Sequence, residues 1–153
     1  MTRNNDAIKQ WLRPLILGLV VQLAVVMVPN TALAAWLNFE DMYAGATSEG
    51  LILSDSLLSL NGQNVTMQGY MAPPLKPTIN FFVLTETPMA ICPFCSTDAD
   101  WPSDIVVVYM DDSVTALPYD QDITVSGQLE VGSYVDGETG FVSLVRLRGA
   151  EVY

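Results

Sequence analysis

The chain has 153 residues, of which 17 are acidic, six are Lys or Arg and none is His. Without histidine the chain lacks the usual general base near neutral pH and the commonest neutral metal ligand, which excludes serine triads and His-based zinc sites. The excess of acid disfavours nucleic acids as partners, because their affinity comes largely from cationic side chains that displace counterions.

The N-terminal segment has the pattern of a signal peptide. Three basic residues precede Leu15–Val28, a stretch that is apolar except for Gln22, and this order is typical of the n- and h-regions of export signals. The stretch is shorter than the roughly 20 residues that cross a bilayer. Ala32-Leu33-Ala34 is a small-x-small cleavage site, so we expect residues 1–34 to be removed. An uncleaved N-terminal anchor is the alternative.

Cleavage would leave residues 35–153, enough for one compact domain. The signal holds one acid and three bases, so sixteen acids and three bases remain, a net charge of −13. Such a surface repels anionic lipid headgroups as well as phosphate backbones. The acids either keep an exported protein soluble or recognise a cationic or metal partner.

The first half of the mature chain begins with a weak helical pattern and continues into a strand. Apolar spacing allows a short N-terminal helix within Trp36–Ala44. Asn61-Gly62 is a strong turn signal, and Val65–Met71 then alternates between apolar and polar residues, which predicts a half-buried strand. The three prolines of residues 72–77 cannot continue a central strand and predict a stiff connection.

Four further segments are predicted strands. Ile79–Glu86 is rich in aromatic and β-branched residues, and Ile105–Met110 is an apolar run expected to be buried on both faces. Ile123–Val131 alternates strictly and pairs with Phe141–Arg148 through a loop containing Asp136-Gly137. Five mostly antiparallel strands predict a mainly β domain built as a five-stranded OB-like barrel, with a small β-sandwich as the competing architecture.

The segment that carries the only two cysteines, Cys92 and Cys95, is the most unusual in the chain. In an oxidising compartment a close pair of cysteines commonly forms a disulfide, and this is the favoured interpretation. Redox catalysis is disfavoured, because residues 96–103 contain Pro102 and are too short for the helix that follows such motifs in thioredoxin-like enzymes. A metal site is the third interpretation.

A metal site here would use soft ligands. Two thiolates supply half of a tetrahedral site, and Met89 or Met71 would favour copper over zinc. Methionines in a β domain are more often part of the core. The acids that follow, Asp98, Asp100 and Asp104, do not fit an EF-hand, since Ser103 stands where the loop requires glycine; we interpret them as a solvated loop.

Several motifs together resemble a widespread family of small exported bacterial proteins of unknown function. The similarity covers about residues 57–152. The matching motifs are Asn61-Gly62-Gln63-Asn64-Val65, Gly69-Tyr70-Met71-Ala72-Pro73, Phe81-Phe82-Val83-Leu84, Cys92-Pro93-Phe94-Cys95, the run from Trp101 to Val108, and Val125-Ser126-Gly127. The resemblance implies an OB-like β-barrel, and some members of the family are encoded beside ABC-type export systems.

These observations predict a non-enzymatic binding or accessory module in the periplasm or outside the cell, with an envelope protein partner such as an ABC-type transporter. The mature domain is expected not to be embedded in the membrane. The predicted binding or disulfide site comprises Cys92, Cys95, Pro93, Phe94, Tyr70, Met71 and Trp101. No cofactor is expected under this hypothesis. The alternative is a Cys-x-x-Cys protein that handles copper or zinc, with Met89 as a further ligand, or that exchanges disulfides.

Overall fold

A computed structural model describes residues 34–74, 78–90, 101–137 and 139–153. Residues 1–33, which carry nearly all of the predicted signal peptide, lie outside the described residues. So does the segment with Cys92, Pro93, Phe94 and Cys95. Among the described residues, no helix is both long and apolar enough to span a bilayer.

The fold is mainly β, as predicted. Its strands are β1 (Ala35–Trp36), β2 (Tyr43–Thr47), β3 (Gly50–Leu53), β4 (Asn64–Met71), β5 (Thr78–Thr85), β6 (Ile105–Thr115), β7 (Asp122–Val135) and β8 (Val142–Val152). One helix, α1 (Asp55–Leu60), and a 3-10 turn (Phe39–Asp41) complete the described elements. The five strands expected from sequence are β4 to β8, and β6, β7 and β8 are each longer than the sequence pattern indicated.

The pairing of these five strands forms a ring. Strands β4, β5, β6, β8 and β7 follow one another in hydrogen-bonded order, and β7 pairs again with β4. All of these pairings are antiparallel except that of β6 with β8. The join between β4 and β5 is short, since it consists of Tyr70 opposite Thr85 and Met71 opposite Leu84. Strand β1 adds to β4 in parallel.

The core lies inside this ring. Residues of β4 alternate between buried and accessible, which places every second side chain inside because successive side chains of a strand point to opposite faces. Residues 105–108 of β6 are all buried, as predicted. The largest fully buried side chains include Met42, Leu57, Met67, Met71, Leu84, Ile123, Leu129 and Leu147.

The helix predicted within Trp36–Ala44 is present only as the three-residue 3-10 turn. Leu37, Phe39 and Met42 are all buried, and this spacing places them in the core while Trp36 still pairs with β4. Burial of these three side chains therefore outweighs the weak helical spacing of the segment.

The helix α1 lies further along, in a segment for which no element is predicted from the sequence. The Ser54 hydroxyl caps α1 by accepting a hydrogen bond from the Leu57 amide at 3.0 Å, a typical N-cap. The predicted turn at Asn61-Gly62 is confirmed, with Gly62 at a φ of 81°. The Asn61 side chain then accepts a hydrogen bond from the Val131 amide at 3.0 Å, which attaches the turn to β7.

Candidate binding groove

A groove of about 440 Å³ lies along the outer side of β4. Gln68, Gly69 and Tyr70 of β4 form its floor, and Trp36 of β1 and residues of the segment after β1 form one wall. The remaining lining residues are Glu86, just after β5, and Asp122, the first residue of β7. The residues that line it are Trp36, Asn38, Phe39, Glu40, Gln68, Gly69, Tyr70, Glu86 and Asp122. We call this feature the β4 groove.

The β4 groove is aromatic and acidic. Trp36 is 61% exposed and Tyr70 is half-buried, so both rings are accessible from the groove. Glu40, Glu86 and Asp122 supply three carboxylates, and none of the lining residues is Lys or Arg. Aromatic faces and carboxylates both attract cations, so the chemistry of the groove favours a positively charged ligand.

A hydrogen bond between two groove residues orients the Asp122 carboxylate. The Gln68 side-chain amide donates a hydrogen bond to an Asp122 carboxylate oxygen at 2.5 Å. This contact links β4 to the start of β7, where Asp122 stands opposite Tyr70 in the strand register. The carboxylate is therefore oriented before any ligand arrives, which lowers the ordering cost of binding.

The residues just after β5 and just before β6 are held together next to the groove. Thr85 stands opposite Ile105 at the ends of β5 and β6, and the Glu86 amide donates to the Asp104 carbonyl at 3.0 Å. The Thr85 hydroxyl donates to the Thr87 carbonyl at 2.8 Å. Glu86, the first residue after β5, also lines the groove.

The predicted site residues that the structure describes have different environments. Tyr70 lines the groove, whereas Met71 is fully buried in the core and its sulfur accepts a hydrogen bond from the Leu117 amide at 3.4 Å. Met89 is half-buried. Among the described residues no group of three or more Asp, Glu, Cys or His side chains could hold a metal ion.

Trp101 attaches the end of the cysteine-bearing connection to the small sheet formed by β2 and β3. Its indole N–H donates to the Tyr43 hydroxyl at 2.8 Å, and the ring packs against the core. Burial raises the pKa of Tyr43, and the hydrogen bond from Trp101 offsets part of this rise. Trp101 is therefore attached to β2 and is not among the residues that line the groove.

Sequence reasoning missed a cluster of arginine and tyrosine on the outer face of β6, β7 and β8. Arg146 donates from Nε to Glu130 at 2.7 Å and from Nη1 to the Gly132 carbonyl at 2.8 Å. Arg148 donates to the same carboxylate at 3.2 Å. Its guanidinium lies 4.1 Å from the centre of the Tyr109 ring and 4.5 Å from that of the Tyr134 ring.

The pKa values of Tyr109 and Glu130 in this cluster are shifted from their ordinary values. Burial, followed by the nearby Asp136 carboxylate, raises the pKa of Tyr109 to about 12. The pKa of Glu130 is lowered overall. Burial by itself would raise this pKa, but the hydrogen bonds from Arg146 and Arg148 outweigh the effect of burial. The sequence did indicate that Arg146 and Arg148 lie on one face of a strand, because they are two residues apart. It did not indicate their partners, because these lie on β6 and β7 and become neighbours only in the folded sheet.

Comparison with protein-family profiles and with curated proteins finds no match. Among solved structures, the chain is similar to the crystal structure of a DUF3299 family protein from Pseudomonas aeruginosa PAO1. The two share 16% sequence identity with a TM-score of 0.52, and the match covers 79% of this chain and 97% of that chain. At this identity the likeness concerns the fold alone, and it agrees with the resemblance to a family of unknown function.

Proposed function

We propose that this protein is a non-enzymatic, extracytoplasmic binding module that holds a cationic part of an envelope protein partner in the β4 groove. The observation that carries the proposal is the composition of the groove, in which Trp36, Tyr70 and three carboxylates face one space without a basic residue. A charge of −13 in the mature chain adds long-range attraction for such a partner.

Other features support parts of this proposal. The signal-peptide pattern of residues 1–34 supports export to the periplasm or beyond. The cyclic strand order, with β6 and β8 parallel, supports an OB-like barrel. OB-like barrels often bind nucleic acids, but the acidic groove argues against that role here. An ABC-type transporter is the partner that the family resemblance suggests.

The proposal is tested by titrating the purified protein with spermidine, a soluble trication, and following backbone and indole N–H signals by NMR. We expect saturable shifts at Trp36 and Tyr70. Glu86→Gln should weaken binding by up to about fivefold, in line with the roughly 0.2–1 kcal/mol of an exposed ion pair. Glu49→Gln, which removes a carboxylate that does not line the groove, is the matched control.

Trp36→Ala should weaken spermidine binding by about two- to fivefold, because an exposed cation–π contact contributes about 0.5–1 kcal/mol. Leu58→Ala, which truncates a half-exposed residue of α1 outside the groove, should leave it unchanged. If the shifts spread evenly over the acidic surface and the groove and control variants behave alike, the proposal is wrong.

The alternative function, a thiol site for metal or disulfide exchange, stays a prediction because Cys92 and Cys95 lie outside the described residues. Mass spectrometry and thiol counting on the exported protein test it. A disulfide that resists mild reductant, in a protein that binds neither copper nor zinc, would eliminate this alternative.

A further inference from the structure

The floor of the β4 groove includes an uncovered stretch of strand edge. The Gln63 carbonyl accepts a hydrogen bond from the Leu129 amide of β7, so the odd-numbered residues of β4 direct their backbone groups toward β7. The even-numbered residues direct theirs toward the opposite edge, because N–H and C=O groups alternate in direction along a strand.

Contacts on that opposite edge agree with this alternation. The Thr66 carbonyl accepts from the Leu37 amide at 3.0 Å, and the Ala72 amide donates to the Val83 carbonyl of β5 at 2.9 Å. Gln68 lies between these two positions and directs its backbone N–H and C=O the same way. No backbone partner for Gln68 on that edge exists among the described residues.

The gap arises because the two neighbouring strands stop short of each other. Strand β1 pairs with β4 only at Val65 and Thr66, and the chain then turns into the 3-10 turn at Phe39–Asp41. Strand β5 meets β4 only from Tyr70 onward. The edge left between these two neighbours is Met67–Gly69, about 10 Å at 3.4 Å per residue, which is room for about three residues of an extended segment.

The side chains around this edge specify what such a segment would carry. Residues opposite each other on neighbouring strands place their side chains on the same face of the sheet. A ligand residue opposite Gln68 would therefore project beside Gln68 and Tyr70, on the face where Asp122 lies. That position suits lysine or arginine, whose charge would face carboxylates and whose stem would pack against aromatic rings.

We propose that the occupant of the β4 groove is an extended basic peptide segment of the partner, which adds to β4 by hydrogen-bonding to the backbone of Gln68. This inference rests on the proposed function and adds the conformation of the ligand to it. Main-chain hydrogen bonds give such strand-addition complexes their affinity, and alternate side chains give them their specificity.

The probe is the blocked pentapeptide acetyl-Val-Lys-Val-Lys-Val-amide, in which both lysines project on one face of an extended chain. The control peptide has the same sequence and charge, with the lysine and central valine amides N-methylated. We expect the methylated peptide to bind at least about tenfold more weakly, since it loses main-chain hydrogen bonds. Hydrogen exchange at the Gln68 amide should slow about tenfold when the unmethylated peptide is present at about ten times its dissociation constant, since protection scales with one plus the ratio of free peptide concentration to dissociation constant.

Equal binding of the two peptides, with no slowing of exchange at Gln68, would overturn strand addition. In that case continued binding of spermidine in the groove would leave the proposed function standing. Failure of both peptide and spermidine to perturb Trp36 and Tyr70 would overturn the proposed function as well, so the two failures are distinguishable.

Discussion

Replacing Gly69 with alanine probes a close approach between β4 and β5. A Cβ atom at this position would lie 2.5 Å from the Thr85 carbonyl oxygen and 3.3 Å from two atoms of the Leu84 side chain. Contacts below 3.0 Å are not tolerated, so the backbone of β5 must move by at least about 0.5 Å, and overpacking of this kind costs about 1–3 kcal/mol.

The measurement is equilibrium unfolding by urea and by heat. For a domain of this size, the expected loss corresponds to a fall in Tm of about 4–12 °C. Gly127→Ala should have an intermediate effect, since its Cβ would approach the Arg148 carbonyl oxygen to 3.0 Å. Gly137→Ala is the matched control. Its Cβ would meet nothing within 4 Å, and the stiffer unfolded chain should make it neutral or stabilising by up to about 1 kcal/mol.

Comparing the three variants separates the effect of a close contact at the new Cβ from any effect that is common to replacing glycine. If Gly69→Ala unfolds at the same urea concentration as Gly137→Ala, the close approach of β4 to Thr85 is wrong. The geometry of the groove floor, which includes Gly69, would then be wrong as well. An unchanged m-value across the series would show that the variants differ in stability and not in the extent of unfolding.

Three further predictions concern polar contacts. Trp101→Phe removes the donor to the Tyr43 hydroxyl, so the pKa of Tyr43, followed by NMR, should rise further; no change would contradict the contact. The pKa of Tyr109 is raised to about 12 from an ordinary value near 10, so its neutral form contributes stability that is complete below pH 10 and is lost between pH 10 and 12. Tyr109→Phe should reduce that loss in urea unfolding measured across this range, and an unchanged pH profile would refute the assignment. Glu130→Gln should cost about 1 kcal/mol, because the buried Arg146 loses its charged acceptor. The pKa of Glu130 is lowered in the fold. The stability that its charged form contributes is therefore present above the ordinary pKa of glutamate and is lost as the pH falls through the lowered pKa. Urea unfolding of wild type and variant below pH 5 checks this.

Local patterns predicted most of the strands. Alternation in Val65–Met71 and Ile123–Val131, the apolar run Ile105–Met110 and the turn at Asn61-Gly62 were all correctly interpreted, because they reflect the two-residue period of a half-buried strand and the backbone preferences of glycine. The N-terminal segment was not, because Leu37, Phe39 and Met42 acquire their roles only from the core that surrounds them.

The candidate site was only partly predictable. Tyr70 was expected at a site and lines the groove, but Met71 beside it is core. The two differ because adjacent residues of a strand face opposite sides. Trp36, Glu40 and Glu86 were not predicted to meet Tyr70, since they are distant in sequence and converge only through the pairing of β1, β5 and β7 with β4.

The mainly β class, the positions of the five main strands and the large negative charge follow from residue types and short-range periodicity, and are therefore readable in the sequence. Three features come from the packed fold: the strands pair in a ring, Gln68 is left on an uncovered edge, and Arg146 and Arg148 stack with Tyr109 and Tyr134. These features depend on which strands become neighbours and in what register. That choice is made by the packing of the whole core, so no short stretch of the chain encodes it.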